Sequence, residues 1–224
     1  MLFEVNGVAK GFDTPKGRLE VLKDISFSVD KAESVAIVGR SGSGKSTLLS
    51  LLCGLERADQ GSLVFDNTPF SSLSEDGLTK LRATKIGMIF QQFHLLAHLK
   101  AWENVALPLE LDGRKDAKEV AFNILKEVGL TNRENHFPGQ LSGGEQQRVA
   151  IARSIAISPM LILADEPSGS LDENTGDEIM NLMFKLVDDH NTSMLVVTHS
   201  DRLAQRCSRI LKMENGVLVN GASN

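Results

Sequence analysis

Gly39-Arg40-Ser41-Gly42-Ser43-Gly44-Lys45-Ser46 is the stretch that decides the fold of this chain. It fits the pattern GxxxxGK[ST], follows the apolar run Ser34-Val-Ala-Ile-Val38, and opens the helical run Ser46-Thr47-Leu-Leu-Ser-Leu-Leu52. A strand, a glycine loop and a helix, in that order, are the context a phosphate cradle needs. Glycines let the backbone fold around an anion with its N–H groups inward, and the helix start adds a partial positive charge there. Residues Gly39 to Thr47 are therefore expected to wrap a nucleotide. Lys45 is expected to neutralise its β- and γ-phosphates, and the Ser46 hydroxyl to ligate Mg²⁺. The plainer reading is a glycine turn capping an ordinary helix; the strand before it and the helix after it speak against that.

Outward from this loop, short apolar or β-branched runs recur at 2–8, 25–29, 34–38, 63–65, 86–90, 161–164, 194–198 and 210–213, each bounded by Gly, Asp, Asn or Ser. Helical patterns lie at 45–52, 117–128, 144–157 and 175–187. Strands alternating with helices predict an α/β sheet that is at least partly parallel. The early strands are short and separated by polar turns such as Gly11-Phe12-Asp-Thr-Pro-Lys-Gly17, which predicts antiparallel pairing beside the parallel core. From about Gln92 to Ser158 no convincing strand occurs. That segment is expected to be a helical lobe, 92–158, inserted into an α/β core made of 1–91 and 159–224, within one domain spanning 1–224.

Leu161-Ile-Leu-Ala-Asp165-Glu166 reads as a buried strand ending in two carboxylates. Beside a phosphate loop, a strand end is where a second Mg²⁺ contact belongs, so Asp165 is the expected metal-side acid. Glu166, one residue later and on the other side of the pleat, is then expected to act as general base on a water. An acidic pair after a strand is on its own a solvated turn; the loop at 39–46 is what gives it a function.

Leu141-Ser142-Gly143-Gly144-Glu145-Gln146-Gln147-Arg148 is the most specific feature of the sequence. Physically it reads as a second anion site, with Ser142 and two glycines just ahead of a helix from Gln146 to Ile157. The string is similar to the LSGGQ signature of ABC ATPases, and the resemblance covers essentially the whole chain. It implies a P-loop NTPase core with an N-terminal antiparallel β subdomain and an inserted helical subdomain. It further implies that Ser142, Gly143, Gly144 and Glu145 bind the nucleotide of a second copy, in a homodimer closed around ATP and Mg²⁺. Gln91 resembles the Q-loop glutamine that contacts Mg²⁺ and the attacking water. Ser168-Gly-Ser170-Leu-Asp172 resembles the D-loop, although Ser170 replaces the Asn frequent there, and His199 matches the switch histidine that contacts the γ-phosphate. Phe12 stands where many relatives stack a tyrosine on adenine; this chain has no Tyr, and packing into the core is the alternative for Phe12.

Phe90 to Leu109, together with Asn174-Thr-Gly-Asp-Glu-Ile-Met180 and Arg206-Cys-Ser-Arg-Ile-Leu-Lys-Met-Glu-Asn-Gly216, resembles the branch that serves lipoprotein release, macrolide-type efflux and export of hydrophobic compounds. This implies an integral membrane permease as partner and a peripheral place on the cytoplasmic face of the inner membrane, with membrane contact only through the permease. The core motifs do not record transport direction, so an uptake ATPase stays open. A non-transport ABC ATPase is the reading from another class, but it usually carries two ATPase domains or long coiled-coil insertions, and the sequence has neither.

Composition is consistent with this. Of 224 residues 42% are hydrophobic and 24% charged, ordinary globular proportions. Lys plus Arg number 24 against 29 for Asp plus Glu, a net charge of -5, which leaves no basic excess for nucleic acid. The start, Met1-Leu-Phe-Glu-Val-Asn6, lacks the pattern of a signal peptide and predicts a cytosolic chain. Cys53 and Cys207 lie far apart and are expected to be small buried hydrophobes. His94 and His98 are four apart but have no third metal-ligand partner in sequence.

Overall fold

The structure, a computed structural model, describes residues 1–15 and 17–219. It divides into two compact units, one formed by Met1–Arg82 with the chain from Ser193 onward, the other by Ala83–Thr192.

The first unit opens with a long hairpin, β1 (Phe3–Thr14) and β2 (Gly17–Val29), paired antiparallel from Phe3↔Val29 to Thr14↔Gly17. The expected polar turn at 11–17 is thus mostly strand, and Lys16 within that range lies outside the described residues. Ladder pairing and the bond from the Gly11 N–H to Asp59 Oδ2 (2.8 Å) carry the polar backbone where side-chain pattern shows no strand. Two further strands, β4 (Gln60–Phe65) and β5 (Thr68–Pro69), complete an antiparallel sheet in the order β2-β1-β4-β5. The parallel part centres on β3 (Ser34–Val38), flanked by β8 (Ser193–Thr198) and β9 (Arg209–Glu214), with β10 (Val217–Val219) antiparallel on β9. All six residues of β8 are buried, and so are Val35, Ala36 and Ile37. A strand covered on both faces needs a continuous apolar run rather than alternation, which is why these segments read so clearly. The first unit also holds α1 (Lys45–Leu52), the short α7 (Asp201–Ala204) and most of α2 (Glu75–Lys85), up to Arg82.

In the second unit β6 (Ile86–Ile89) pairs parallel with β7 (Leu161–Asp165), Ile86 opposite Leu161 and Ile89 opposite Ala164. Its helices are α3 (Ala101–Leu111), α4 (Ala117–Glu127), α5 (Gly143–Ile155) and α6 (Glu173–Asp189). On α4 the buried residues Ala117, Ala121, Ile124 and Leu125 recur at helical spacing, with Lys118, Lys126 and Glu127 exposed. Ile179, Met180, Met183, Leu186 and Val187 form the same stripe on α6. Between residues 92 and 158 the described residues form helices and connections without a strand. No helix among the described residues is long and apolar enough to cross a membrane.

Candidate functional site

In the first unit, β3 delivers the chain into the glycine loop and α1 begins at Lys45, with Gly44 as N-cap at φ 104°. The loop is packed against backbone: a Cβ on Gly39 would lie 2.3 Å from the Met213 carbonyl oxygen. Lys45, only 9% exposed, reaches back across the loop and donates to the carbonyls of Gly39 (2.8 Å) and Arg40 (3.0 Å). Among the described residues its partners are these backbone oxygens, and no ion pair to a carboxylate compensates its charge. Ser43 Oγ is buried without a hydrogen-bond partner. The start of α1 carries no side-chain cap and no acidic residue, which leaves its first N–H groups for an external anion. Ser46 is exposed and Thr47 half-buried on that first turn. An orphaned hydroxyl, an uncompensated ammonium and an uncapped helix start together fit a phosphate chain.

The loop opens on a cavity of about 770 Å³ that is lined by residues 38–43 together with His199, Asp201, the end of β9 at 212–214 and Asn215. His199 is therefore brought to the phosphate loop. It sits between β8 and α7, where the Ser200 N–H donates to Thr198 Oγ1 (3.0 Å) and the Leu203 N–H to Ser200 Oγ (3.3 Å). Phe12 lies on β1, 37% exposed, with Lys10 Nζ 5.1 Å from its ring centroid. It is therefore a surface aromatic rather than a core residue.

The second unit gathers the acid pair, the glutamine and the signature. Asp165 ends β7, and both it and Glu166 are half-buried. Glu166 lies outside the strand at φ 45°, so its direction comes from a left-handed turn and not from the pleat alternation expected for it. The turn is held from within by the Gly169 N–H on the Glu166 carbonyl (2.9 Å), and from α5 by Gln147 Nε2 on the Pro167 carbonyl (2.6 Å). Downstream, Asp172 caps α6 by accepting from the Thr175 N–H (3.1 Å), and the hydroxyl and N–H of Thr175 hold the Asp172 carboxyl below its ordinary pKa. Gln91 follows β6 and is exposed; its carbonyl accepts from Ser170 Oγ (2.9 Å). The next turn of this loop is held by Arg153 of α5, which donates to the carbonyls of His94 (2.7 Å) and Phe93 (3.1 Å). Burial lowers the Arg153 pKa.

At the signature, α5 begins at Gly143, one residue before the helical pattern at 144–157 and three before the Gln146 start read from the signature itself, with Ser142 as its N-cap. The cause is a capping box. Glu145 N–H donates to Ser142 Oγ (3.2 Å), while Glu145 Oε2 accepts from the Ser142 N–H (2.8 Å). Glu145 Oε1 also accepts from Arg133 Nε (2.8 Å). The Ser142 N–H first, then Arg133, hold the Glu145 carboxyl below its ordinary pKa. Gly144 lies at a close approach, since a Cβ there would lie 2.6 Å from Thr175 Cγ2 and one of the two would have to shift.

Sequence reasoning passed over Arg153, Arg133 and Asn104. Arg153 had a signal, a charged residue inside the apolar run Val149-Ala-Ile-Ala-Arg-Ser-Ile-Ala156. Asn104 is fully buried, accepts from the Leu96 N–H and donates to the carbonyls of Leu96, Leu99 and Lys100; it looks like any polar helical residue in sequence. Cys53 is buried as expected, but Cys207 is only half-buried, because it follows α7 near the surface; burial still pushes its thiol up to about 11. No group of three metal-ligating side chains occurs among the described residues, and His94 packs edge-on against Phe90 at 4.9 Å.

Comparison with known proteins gives these features a family. The ABC transporter family profile matches residues 22–169. The chain is 43% identical to the lipoprotein-releasing system ATP-binding protein LolD of Treponema denticola, over 96% of both chains. It is 42% identical to the uncharacterized ABC transporter ATP-binding protein YbbA of Escherichia coli K12, over 99% of this chain and 98% of that one. Among solved structures it is similar to the ATP-binding cassette MJ0796, in a dimeric post-hydrolysis state bound to ADP and Pi, with TM-score 0.90 and 39% identity over 98% and 97% of the two chains. The chain belongs to the ABC transporter family, as an ATP-binding, ATP-hydrolysing subunit with the ABC ATPase fold.

Proposed function

We propose that this subunit pairs with a second copy around two Mg²⁺-ATP and drives a membrane permease that exports or extracts lipoproteins or other hydrophobic compounds. The observation that carries nucleotide use is the loop at 39–46, where Lys45 spans its own carbonyls and Ser43 Oγ is buried unpaired. The cargo class rests on the 43% identity to LolD and on the Phe90–Leu109 stretch. Residues 92–158 form the inserted helical subdomain and the rest of the chain the catalytic core. The subunit works at the cytoplasmic face of the inner membrane, touching the membrane only through the permease.

In this reading the backbone N–H groups from Gly39 to Thr47 bind phosphate oxygens, and Lys45 exchanges its two carbonyl partners for the β- and γ-phosphates. Ser46, Asp165 and Gln91 would hold Mg²⁺ through oxygen ligands, and the ion would supply neutralisation of charge building up on the phosphates. Glu166 takes a proton from the attacking water, and His199 steadies the γ-phosphate from the end of β8. Phe12 offers a π-face to the base.

Glu166→Gln is the direct test. ATP binding should survive, because that side chain is assigned to water activation, while turnover falls by roughly 10²-fold or more. Undiminished turnover removes Glu166 as the base. Recovery of a permease with this subunit from native membranes tests the partner, and a solute-uptake permease in that complex would overturn the export reading.

A further inference from the structure

The segment after the acid pair touches Gln91 twice. Ser170 Oγ donates to the Gln91 carbonyl at 2.9 Å, and Gly169 lies so close to the glutamine side chain that a Cβ on it would come within 3.0 Å of Gln91 Nε2. Gly169 in turn donates its N–H to the Glu166 carbonyl (2.9 Å), and the segment ends at Asp172, the N-cap of α6. The chain Glu166–Gly169–Gln91 and the tie from Ser170 thus join the general base, the segment 168–172 and the glutamine in one short network. Gln91 itself is exposed and β6 ends two residues before it, and the Arg153 clamp on this loop acts further on, at Phe93 and His94, so the Ser170 tie is the side-chain bond on the Gln91 backbone among the described residues. A hydroxyl is what the tie requires: a residue without a side-chain donor at 170 cannot make it.

We infer that Ser170 is a positioning residue for Gln91, holding that glutamine in register with Glu166, so that displacement of the segment 168–172 displaces Gln91 with it. This rests on the reading of Gln91 as a contact of Mg²⁺ and the attacking water. The bond lies at the surface, so its loss should cost a few-fold rather than abolish activity.

The test uses the whole chain with Ser170→Ala, Ser170→Thr, Gln91→Ala and the Ser170→Ala/Gln91→Ala pair. Hydrogen exchange of the peptide covering residues 90–95, without nucleotide, reads the loop directly; turnover and the Mg²⁺ concentration for half-maximal turnover read its consequence. Ser170→Ala should speed exchange in that peptide, lower turnover roughly two- to tenfold and raise the Mg²⁺ requirement, with Mg²⁺-free ATP binding unchanged. Ser170→Thr, which keeps the hydroxyl, should restore all three. In the Gln91→Ala background, Ser170→Ala should add nothing further to turnover. Wild-type exchange and turnover in Ser170→Ala, or an additive loss in the pair, overturns the inference. If Gln91→Ala itself turns over at the wild-type rate, the role given to Gln91 fails and the inference falls with it; that is distinguishable from failure of Ser170 alone, where Gln91→Ala is slow and Ser170→Ala is not.

Discussion

Gly144→Ala measures how tightly the start of the signature helix is packed on α6. The added Cβ would sit 2.6 Å from Thr175 Cγ2, about an ångström inside ordinary contact. Rotating Thr175 about χ1 to relieve this contact would turn its hydroxyl away from the Asp172 carboxylate, whose pKa it helps to lower. Overpacking of this kind costs about 1–3 kcal/mol. Against it, alanine is favoured over glycine in a helix by about 1 kcal/mol, so the single variant is expected to lose about 0–2 kcal/mol. The sharper quantity is a coupling. Thr175→Ser keeps the hydroxyl and deletes the methyl group in the way, at an expected cost of under about 0.8 kcal/mol alone. With that methyl gone, the alanine keeps its helical gain and meets no clash. The cycle of Gly144→Ala, Thr175→Ser and the double variant, by urea denaturation, should therefore show a favourable coupling of about 1–3 kcal/mol. Coupling within about 0.3 kcal/mol of zero would show that helix and segment yield freely, and the close-approach account of Gly144 would be wrong.

Two further outcomes follow from the same unit. Asn104→Ala leaves the Leu96 N–H and three carbonyls without their side-chain partner, so stability should fall by about 1–3 kcal/mol; an unchanged denaturation midpoint would mean water replaces the side chain at no cost. Arg133→Ala should change stability by under about 1 kcal/mol, since the pair with Glu145 is partly exposed, yet weaken ATP-driven dimerisation by leaving a carboxylate unbalanced at the signature. Adding Glu145→Gln should restore dimerisation measured by size-exclusion chromatography, and equal weakness of the double variant would acquit the charge.

The fold was legible where burial is two-sided. Ser34–Val38 and Ser193–Thr198 carry continuous apolar runs and were found to the residue or within one; α1 from Lys45 to Leu52 was found with both ends. The outer half of the β1–β2 hairpin was not, because Phe12 to Thr14 and Gly17 to Leu19 pair through backbone while lying exposed to solvent. At the candidate site, residue identities were legible and conformations were not. The pleat rule misdirected Glu166, since nothing in Asp165-Glu166-Pro167 announces a left-handed residue at 166. The capping box started α5 early because Ser142 and Glu145 satisfy each other, a pairing visible as Ser-x-x-Glu but read instead as part of the anion motif. Arg153 and Ser170 act on carbonyls 59 to 79 positions away in sequence, and single-sequence pattern has no access to such pairs.

The two glycine-led helix starts are not equivalent in one chain, and the difference bears on how many chains a site needs. The start of α1 has no side-chain cap and no acidic residue, and a buried lysine stands over it. The start of α5 is already capped by Ser142 and Glu145, with Arg133 balancing the charge. The first can take phosphate as it stands; the second has spent part of its capacity on itself and gains from an anion only through the remaining N–H groups and the Ser142 hydroxyl. One chain carries two such starts but one Asp165–Glu166 pair and one switch histidine, so twofold pairing converts the surplus into two complete sites. In a Glu166→Gln background, mixing a Lys45→Ala chain with a Ser142→Arg chain separates the possibilities. If each ATP is held by Lys45 of one chain and Ser142 of the other, a mixed dimer has one site with both defects and one with neither. It should then trap about one ATP per dimer while each parent alone traps little. If Ser142 serves the nucleotide of its own chain, every site in the mixture carries one defect. Trapping no better than the parents, with mixed dimers shown to form, would refute the shared site.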